Sequence, residues 1–111
     1  LFRRSLTVAR LKQKRFQEVL MDLREASSVE PEDRVLEFHA AAGAGQAQVV
    51  KALQKEYAGN VLAFPQPVRE CFELITASWG IGSEEGFREP TEDQLEDVSR
   101  AEIEMVLARA A

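Results

Sequence analysis

The sequence predicts an all-α fold, a small bundle of four to six helices. Apolar residues recur at intervals of three and four along most of the 111 residues, which is the spacing of one helix face. No segment alternates apolar and polar residues long enough to predict a strand. A chain of this size corresponds to one domain. We expect a helical bundle over 1–82, followed by an acidic linker and a C-terminal helix over 83–111.

The first 27 residues contain no glycine or proline and carry one apolar stripe. The stripe follows 4-3-7-4-3 spacing and consists of Phe2, Leu6, Ala9, Phe16, Leu20 and Leu23. A polar run over residues 12–15 falls in its seven-residue gap. We predict that this run is a turn between two antiparallel helices, the alternative being the solvated middle of one long helix.

A third helix is predicted to begin at Pro31, which suits a first helical turn because proline lacks an N–H there. The acidic residues around it complement the positive end of the helix dipole. Gly43 and Gly45 are unfavourable inside a helix, so the helix is expected to end or bend there.

The same sequence signals predict three further helices. The fourth resumes helical spacing after residue 46 and is expected to stop at Gly59. Residues 60–67 predict a loop or short extended segment, and Pro67 is expected to start the fifth helix, with its apolar side chains at Val68, Phe72, Ile75 and Trp79. Thr91 and Gln94 form a capping-box pattern before a last helix over about 92–110. That helix carries Leu95, Val98, Ile103, Val106 and Leu107.

Charge is unevenly distributed along the chain. Residues 1–28 hold seven Lys/Arg against three Asp/Glu, and residues 29–111 hold seven against sixteen. The acidic remainder argues against a nucleic-acid-binding domain, because phosphate contacts need a basic face. Residues 84–104 hold nine acids and two arginines, which predicts a solvated, partner-facing surface. No apolar run is long enough to span a bilayer.

The residue types give little indication of catalysis or of metal binding. The single histidine, His39, lies between Phe38 and three alanines, where a structural histidine bonded to a backbone carbonyl is expected rather than a general base. Cys71 has no paired histidine motif, so a core thiol is expected rather than a nucleophile. One cysteine also provides no multi-cysteine zinc site and suits a reducing, intracellular compartment. The acids of 84–104 lack the pattern of a calcium loop. We therefore expect a chain that is not an enzyme.

One short stretch resembles a single ankyrin repeat. In 38–53, "FHAAAGAGQAQVVKAL", an apolar–histidine pair, two alanines, a glycine and a Val-Val-x-x-Leu tail stand at ankyrin offsets. The resemblance implies a short helix, a glycine turn and a second antiparallel helix. About three repeats are needed to bury a continuous face, and no second copy of the pattern is evident.

The opening stretch "LFRRSLTVAR" resembles the start of the LYR-motif proteins, small three-helix mitochondrial proteins. Leu1, Phe2 and Arg3 match the Leu-Tyr-Arg motif, with phenylalanine in place of tyrosine, and an apolar residue and an Ala-Arg pair follow at the family's offsets. The stretch "LREASSVEP" is similar to the end of the family's second helix. A basic, acid-free start is also typical of a mitochondrial transit peptide, but the apolar stripe continues to Leu23.

The LYR resemblance implies a function. Such proteins typically dock a mitochondrial acyl carrier protein, whose acidic helix meets basic residues and whose phosphopantetheine-linked acyl chain enters the helical bundle. The basic contacts here would be Arg3, Arg4, Arg10, Lys12, Lys14 and Arg15, and the residues lining the acyl chain would be Leu6, Ala9, Phe16, Leu20 and Phe38. The same apolar residues can equally fill a core.

We therefore expect a non-catalytic accessory subunit or assembly factor of a mitochondrial complex, with no cofactor of its own beyond the carrier's acyl chain. The alternative is a helical protein-interaction module, ankyrin-like or unclassified, or a structural subunit of a larger assembly, whose acidic C-terminal segment contacts a basic partner.

Overall fold

A computed structural model describes the backbone of residues 2–26, 30–82 and 87–110 and the side chains of 4–25, 30–82 and 87–109. Within these ranges the chain forms six α-helices and one short 3-10 turn, without a strand, which confirms the all-α prediction. The helices are α1 (Phe2–Lys12), α2 (Phe16–Ala26), α3 (Pro31–Gly43), α4 (Ala47–Gly59), α5 (Gln66–Ser78) and α6 (Glu92–Ala110), and the 3-10 turn is Val61–Ala63. None of these helices is long and apolar enough to cross a membrane.

The predicted turn between the first two helices is confirmed. Lys14 adopts the left-handed conformation at φ 64°. Its N–H donates to the Leu11 carbonyl at 3.0 Å, and the Arg15 N–H donates to the Arg10 carbonyl at 3.0 Å. These bonds satisfy carbonyls that the end of α1 would otherwise leave without a partner. An ion pair between Arg10 and Asp22, 2.6 Å long, joins the two helices across the turn and fits an antiparallel hairpin.

The other helix ends also follow the sequence signals. Pro31 is the first residue of α3, and Gly59 is the last residue of α4. Gly45 has a φ of 73° in the turn between these helices, a conformation that glycine adopts without steric cost. The capping box at α6 is formed in both directions: the Thr91 N–H donates to the Gln94 side-chain carbonyl at 2.9 Å, and the Gln94 N–H donates to the Thr91 hydroxyl at 3.2 Å.

Helix α3 is the central element, because it contacts each of the other five helices. Its residues 40–42 are three buried alanines, and small side chains let neighbouring backbones approach closely. Arg34, near the start of α3, lies 3.7 Å from Glu56, near the end of α4, so these two helices are antiparallel. Helix α6 packs against α5, α1 and α3, and its Leu95 and Val98 are buried in the same core as the preceding helices.

The buried face of α1 differs from the predicted stripe, which is wrong for this helix. Leu6 and Ala9 are exposed, and α1 instead buries Thr7, Val8 and Leu11. In α2 the predicted stripe is confirmed: Leu20 is buried, and Phe16 and Leu23 pack partly buried against the core. The α1 helix therefore presents to solvent an apolar pair that the sequence assigned to the interior.

The predicted apolar residues of α6 divide between the core and the surface. Leu95, Val98 and Val106 are buried, whereas Ile103 and Leu107 are exposed. The core instead takes Ser99, Glu102 and Met105 from this helix. In α5 the expected face is confirmed in full, with Val68, Phe72, Ile75 and Trp79 all buried.

Candidate functional site

The outward side of α1 is the candidate site, because the predicted basic contacts lie on this helix and in the turn between α1 and α2. The exposed residues of this side are Ser5, Leu6, Ala9, Lys12 and Gln13, and we call them the α1 outer face. They share one side because residues three and four apart lie above one another on a helix. The inward residues of α1 fix the orientation of this face against α6, α2 and α3. The side chains of Leu1, Phe2 and Arg3, which carry the LYR-like motif, lie outside the described residues.

Arg4 is engaged inside the protein. Its Nε donates to Asp33 Oδ1 at 3.1 Å, and its Nη2 donates to Asp33 Oδ2 at 2.9 Å. The two side chains are only 22% and 11% exposed. The bond to Asp33 raises the pKa of Arg4 above its ordinary value, against the opposing effect of burial. A two-point bond of this kind fixes geometry as well as contributing energy, so Arg4 ties α1 to the start of α3.

Three other predicted basic contacts form ion pairs at the surface. Arg10 pairs with Asp22 in α2 at 2.6 Å, Lys14 with Glu89 at 3.1 Å, and Arg15 with Glu18 at 2.6 Å. Exposed pairs contribute only about 0–1 kcal/mol each, so these cations can exchange their partner at little cost. Lys12 is exposed, and within the described part of the chain it has no ion pair within 4.0 Å.

The five residues predicted to line an acyl chain do not lie in one place. Leu20 and Phe38 are fully buried in the core, and Leu6 and Ala9 are on the surface. Phe16 is partly buried, with its ring centroid 5.6 Å from that of Trp79 in an edge-on contact. The buried members of the set pack as core residues, and the exposed members belong to the α1 outer face.

His39 forms a buried pair with Glu102 that the sequence analysis missed. The histidine Nδ1 lies 2.9 Å from Glu102 Oε2, and the two side chains are 2% and 1% exposed. The expected bond from His39 to a backbone carbonyl is therefore replaced by a carboxylate from α6. Within the described part of the chain, His39 Nε2 and Glu102 Oε1 have no hydrogen-bond partner. The sequence signal for Glu102 was its position four residues after Val98 and four before Val106, on the buried face of its helix.

Apart from Glu102, the described acids of the C-terminal segment are exposed, as predicted. Residues 84–86 lie outside the described residues. Among the described ones, the exposed acids on α6 are Glu92, Asp93, Glu96, Asp97 and Glu104. No group of three or more His, Cys, Asp or Glu side chains in the described ranges is arranged to hold a metal ion.

Cys71 is completely buried in α5. Burial raises the pKa of its thiol far above the ordinary value, and the nearby Glu102 carboxylate raises it further. Because the thiolate is the reactive form of cysteine, the native thiol is held in its unreactive state.

We therefore expect the folded protein to resist alkylation. At pH 8 the reaction of native Cys71 with iodoacetamide should be more than about tenfold slower than that of the chain unfolded in urea. The rate can be followed by intact mass, since the chain has one cysteine. The raised pKa of Cys71 also implies that the free energy of unfolding declines at alkaline pH. There the thiol of the unfolded chain ionises, whereas that of the folded chain does not. Equal rates with and without urea would contradict the burial of this side chain.

A groove of about 550 Å³ lies between α4 and α5. Tyr57 and Phe72 line it, and the Phe72 ring is stacked between those of Tyr57 and the buried Phe38, with centroid distances of 4.0 and 4.1 Å. Burial and the neighbouring Glu73 raise the pKa of Tyr57, so its phenol is neutral at physiological pH. The groove is apart from the residues predicted for partner binding, none of which lines it.

Comparisons of this chain with protein-family models, with curated proteins and with solved structures gave no match.

Proposed function

We propose that this chain is a non-catalytic accessory subunit or assembly factor of a mitochondrial complex, LYR-like, that docks an acyl carrier protein through the α1 outer face. The observation that carries the proposal is the division of α1 into two sides. Val8 and Leu11 anchor the helix in the core, while Leu6, Ala9 and Lys12 remain exposed. A rigidly held helix with an apolar centre and basic surroundings suits an acidic amphipathic partner helix.

The electrostatics of this face support a charged partner. Lys12 has no ion pair within the described residues, and the cations of Arg10, Lys14 and Arg15 are held only by surface pairs. A partner carboxylate can replace Asp22, Glu89 or Glu18 in these pairs, because exposed pairs are weak. Arg4 plays a different part in the proposal, since it positions α1 through Asp33. The phosphopantetheine and its acyl chain belong to the carrier, and the proposal assigns no cofactor to this chain.

The proposal predicts that a double change on the α1 outer face weakens carrier binding without unfolding the chain. Leu6→Asp with Lys12→Glu should lower the affinity for a phosphopantetheinylated acyl carrier protein by at least about tenfold, or about 1.4 kcal/mol. Both positions are exposed, so circular dichroism should be unchanged. The affinity is measured by titration calorimetry at low ionic strength, where charge pairs are least screened.

The matched control is Leu62→Asp with Lys51→Glu, which makes the same two chemical changes at exposed positions outside α1. The control should bind the carrier as the unchanged chain does. The proposal fails if the unchanged chain does not bind the carrier, or if both double variants lose the same affinity. Intact-mass detection of a phosphopantetheinylated protein co-purifying from native extracts provides a second, independent test.

A further inference from the structure

We infer that the outward face of α6 is a docking surface for a basic amphipathic helix of another protein. This surface lies on a different helix from the α1 outer face, and the inference does not depend on the carrier proposal. It rests on the exposed apolar side chains of α6, on the acids beside them, and on the absence of ion pairs for those acids among the described residues.

The apolar part of this surface is the pair Ile103 and Leu107. The two side chains are 48% and 56% exposed, and four residues separate them, so they lie one turn apart on the same side of the helix. The other exposed large hydrophobic residues in the described ranges are on separate elements: Leu6 on α1, Met21 on α2, Leu62 on the 3-10 turn and Phe87 before α6. Thus, of the described helices, only α6 has two such side chains.

The acidic part of the surface lies beside this pair and toward the start of α6. The stripe that contains Ile103 and Leu107 continues through Arg100 and Glu96 at spacings of three and four residues. Beside it, the residues on the next row are Asp93, Asp97 and Glu104, all exposed. The α6 outer face, defined as these seven residues, therefore has an apolar pair with four carboxylates and one guanidinium beside it and N-terminal to it.

The four acids of this surface have no ion pair among the described residues. In the described ranges, the basic residues Arg10, Lys14 and Arg15 each have a carboxylate within 4.0 Å. No such pair joins Asp93, Glu96, Asp97 or Glu104 to a described cation. The repulsion among the unpaired carboxylates is relieved when cations of a partner approach them.

The opposite side of α6 holds the surface in place. Val98, Glu102, Met105 and Val106 are buried, and α6 packs along α5 and α1. A helix fixed in this way needs no rearrangement to receive a partner. Its acidic charge disfavours nucleic acids and anionic membranes. A helix with apolar residues at i and i+4 and lysine or arginine beside them matches both the spacing and the charge.

The experiment uses a fluorescein-labelled amphipathic peptide of leucine and lysine, and a second peptide of the same pattern with glutamate in place of lysine. Fluorescence anisotropy at physiological salt should detect binding of the lysine peptide to the full chain and none of the glutamate peptide. Ile103→Ser with Leu107→Ser should lower the affinity at least about tenfold. The control Leu62→Ser removes an exposed leucine from another element and should leave the affinity unchanged.

A second set of variants tests the charge of this surface. It compares two double substitutions of acidic residues by lysine. Asp97→Lys with Glu104→Lys should abolish binding of the lysine peptide, whereas Glu70→Lys with Glu73→Lys, exposed on α5, should reduce it less than about threefold. The inference is overturned if the serine double variant binds as tightly as the unchanged chain, because binding is then diffuse charge attraction. Equal losses for the two charge reversals would overturn it too. Urea denaturation of each variant verifies that the fold is retained.

Discussion

Replacing His39 with leucine is expected to lower the free energy of unfolding by about 3–5 kcal/mol, the cost of removing one member of a buried pair and leaving the other without its partner. The Glu102 side chain is 1% exposed, and its Oε2 lies 2.9 Å from His39 Nδ1. Its other oxygen has no hydrogen-bond partner among the described residues, so the loss of His39 leaves neither oxygen with a partner there. Because small domains have only about 5–15 kcal/mol of stability, this variant should be close to unfolding. Urea denaturation measures the change.

A second variant separates the lost pair from lost packing. His39→Leu with Glu102→Leu replaces both members of the pair by apolar groups, which is often neutral or stabilising relative to the intact pair. We expect the double variant to be more stable than His39→Leu alone by at least about 2 kcal/mol, which gives a large coupling in the double-mutant cycle. If the single change costs less than about 1 kcal/mol, Glu102 is not a buried partner of His39.

Gly43 to alanine is the second change for which a large effect is expected. Gly43 is the last residue of α3, and a methyl group there would overlap the Phe16 ring. That ring contacts His39 and Trp79 at centroid distances of 5.8 and 5.6 Å, which limits its freedom to move aside. Overpacking of this kind costs about 1–3 kcal/mol, and the better helix propensity of alanine offsets about 1 kcal/mol at most.

Gly59→Ala is the matched control, because Gly59 also ends a helix and a methyl group there would meet nothing within 4 Å. It should be neutral or slightly stabilising in thermal and urea denaturation. Adding Phe16→Leu to Gly43→Ala should reduce the additional cost of the alanine, since the smaller side chain leaves room for the methyl group. If Gly43→Ala and Gly59→Ala behave alike, Phe16 does not pack on α3 at this point.

The helix boundaries were predictable because the signals that set them are local. Proline at position 31, glycine at 45 and 59, and the Thr91–Gln94 capping box act through the backbone of their own segment. The choice of buried face was not predictable in α1. Leu6 and Ala9 form an apolar pair three residues apart, and so do Val8 and Leu11. Periodicity alone cannot show which of two such pairs is buried. The packing of α1 on α6 and α2 buries Val8 and Leu11.

The candidate site was harder to predict from the sequence, because its side-chain contacts join residues that are far apart in the chain. The net basic charge of the first segment was evident, but the bond from Arg4 to Asp33 joins residues 29 positions apart. His39 and Glu102 are 63 positions apart, so neither the buried carboxylate nor its partner could be recognised within one helix. The apolar spacing of α6 also includes Ile103 and Leu107. The structure instead places Glu102 and Met105 at the inward positions of this helix.

We propose that this protein docks its partner through the outward side of α1. Amide chemical shifts of the isotope-labelled chain, mapped during titration with a phosphopantetheinylated acyl carrier protein, locate the binding surface residue by residue. The proposal predicts the largest shifts at Ser5, Leu6, Ala9, Lys12 and Gln13, with those of α4 unchanged. Shifts confined to α6 or to the groove between α4 and α5, or no shifts at any carrier concentration, would contradict it.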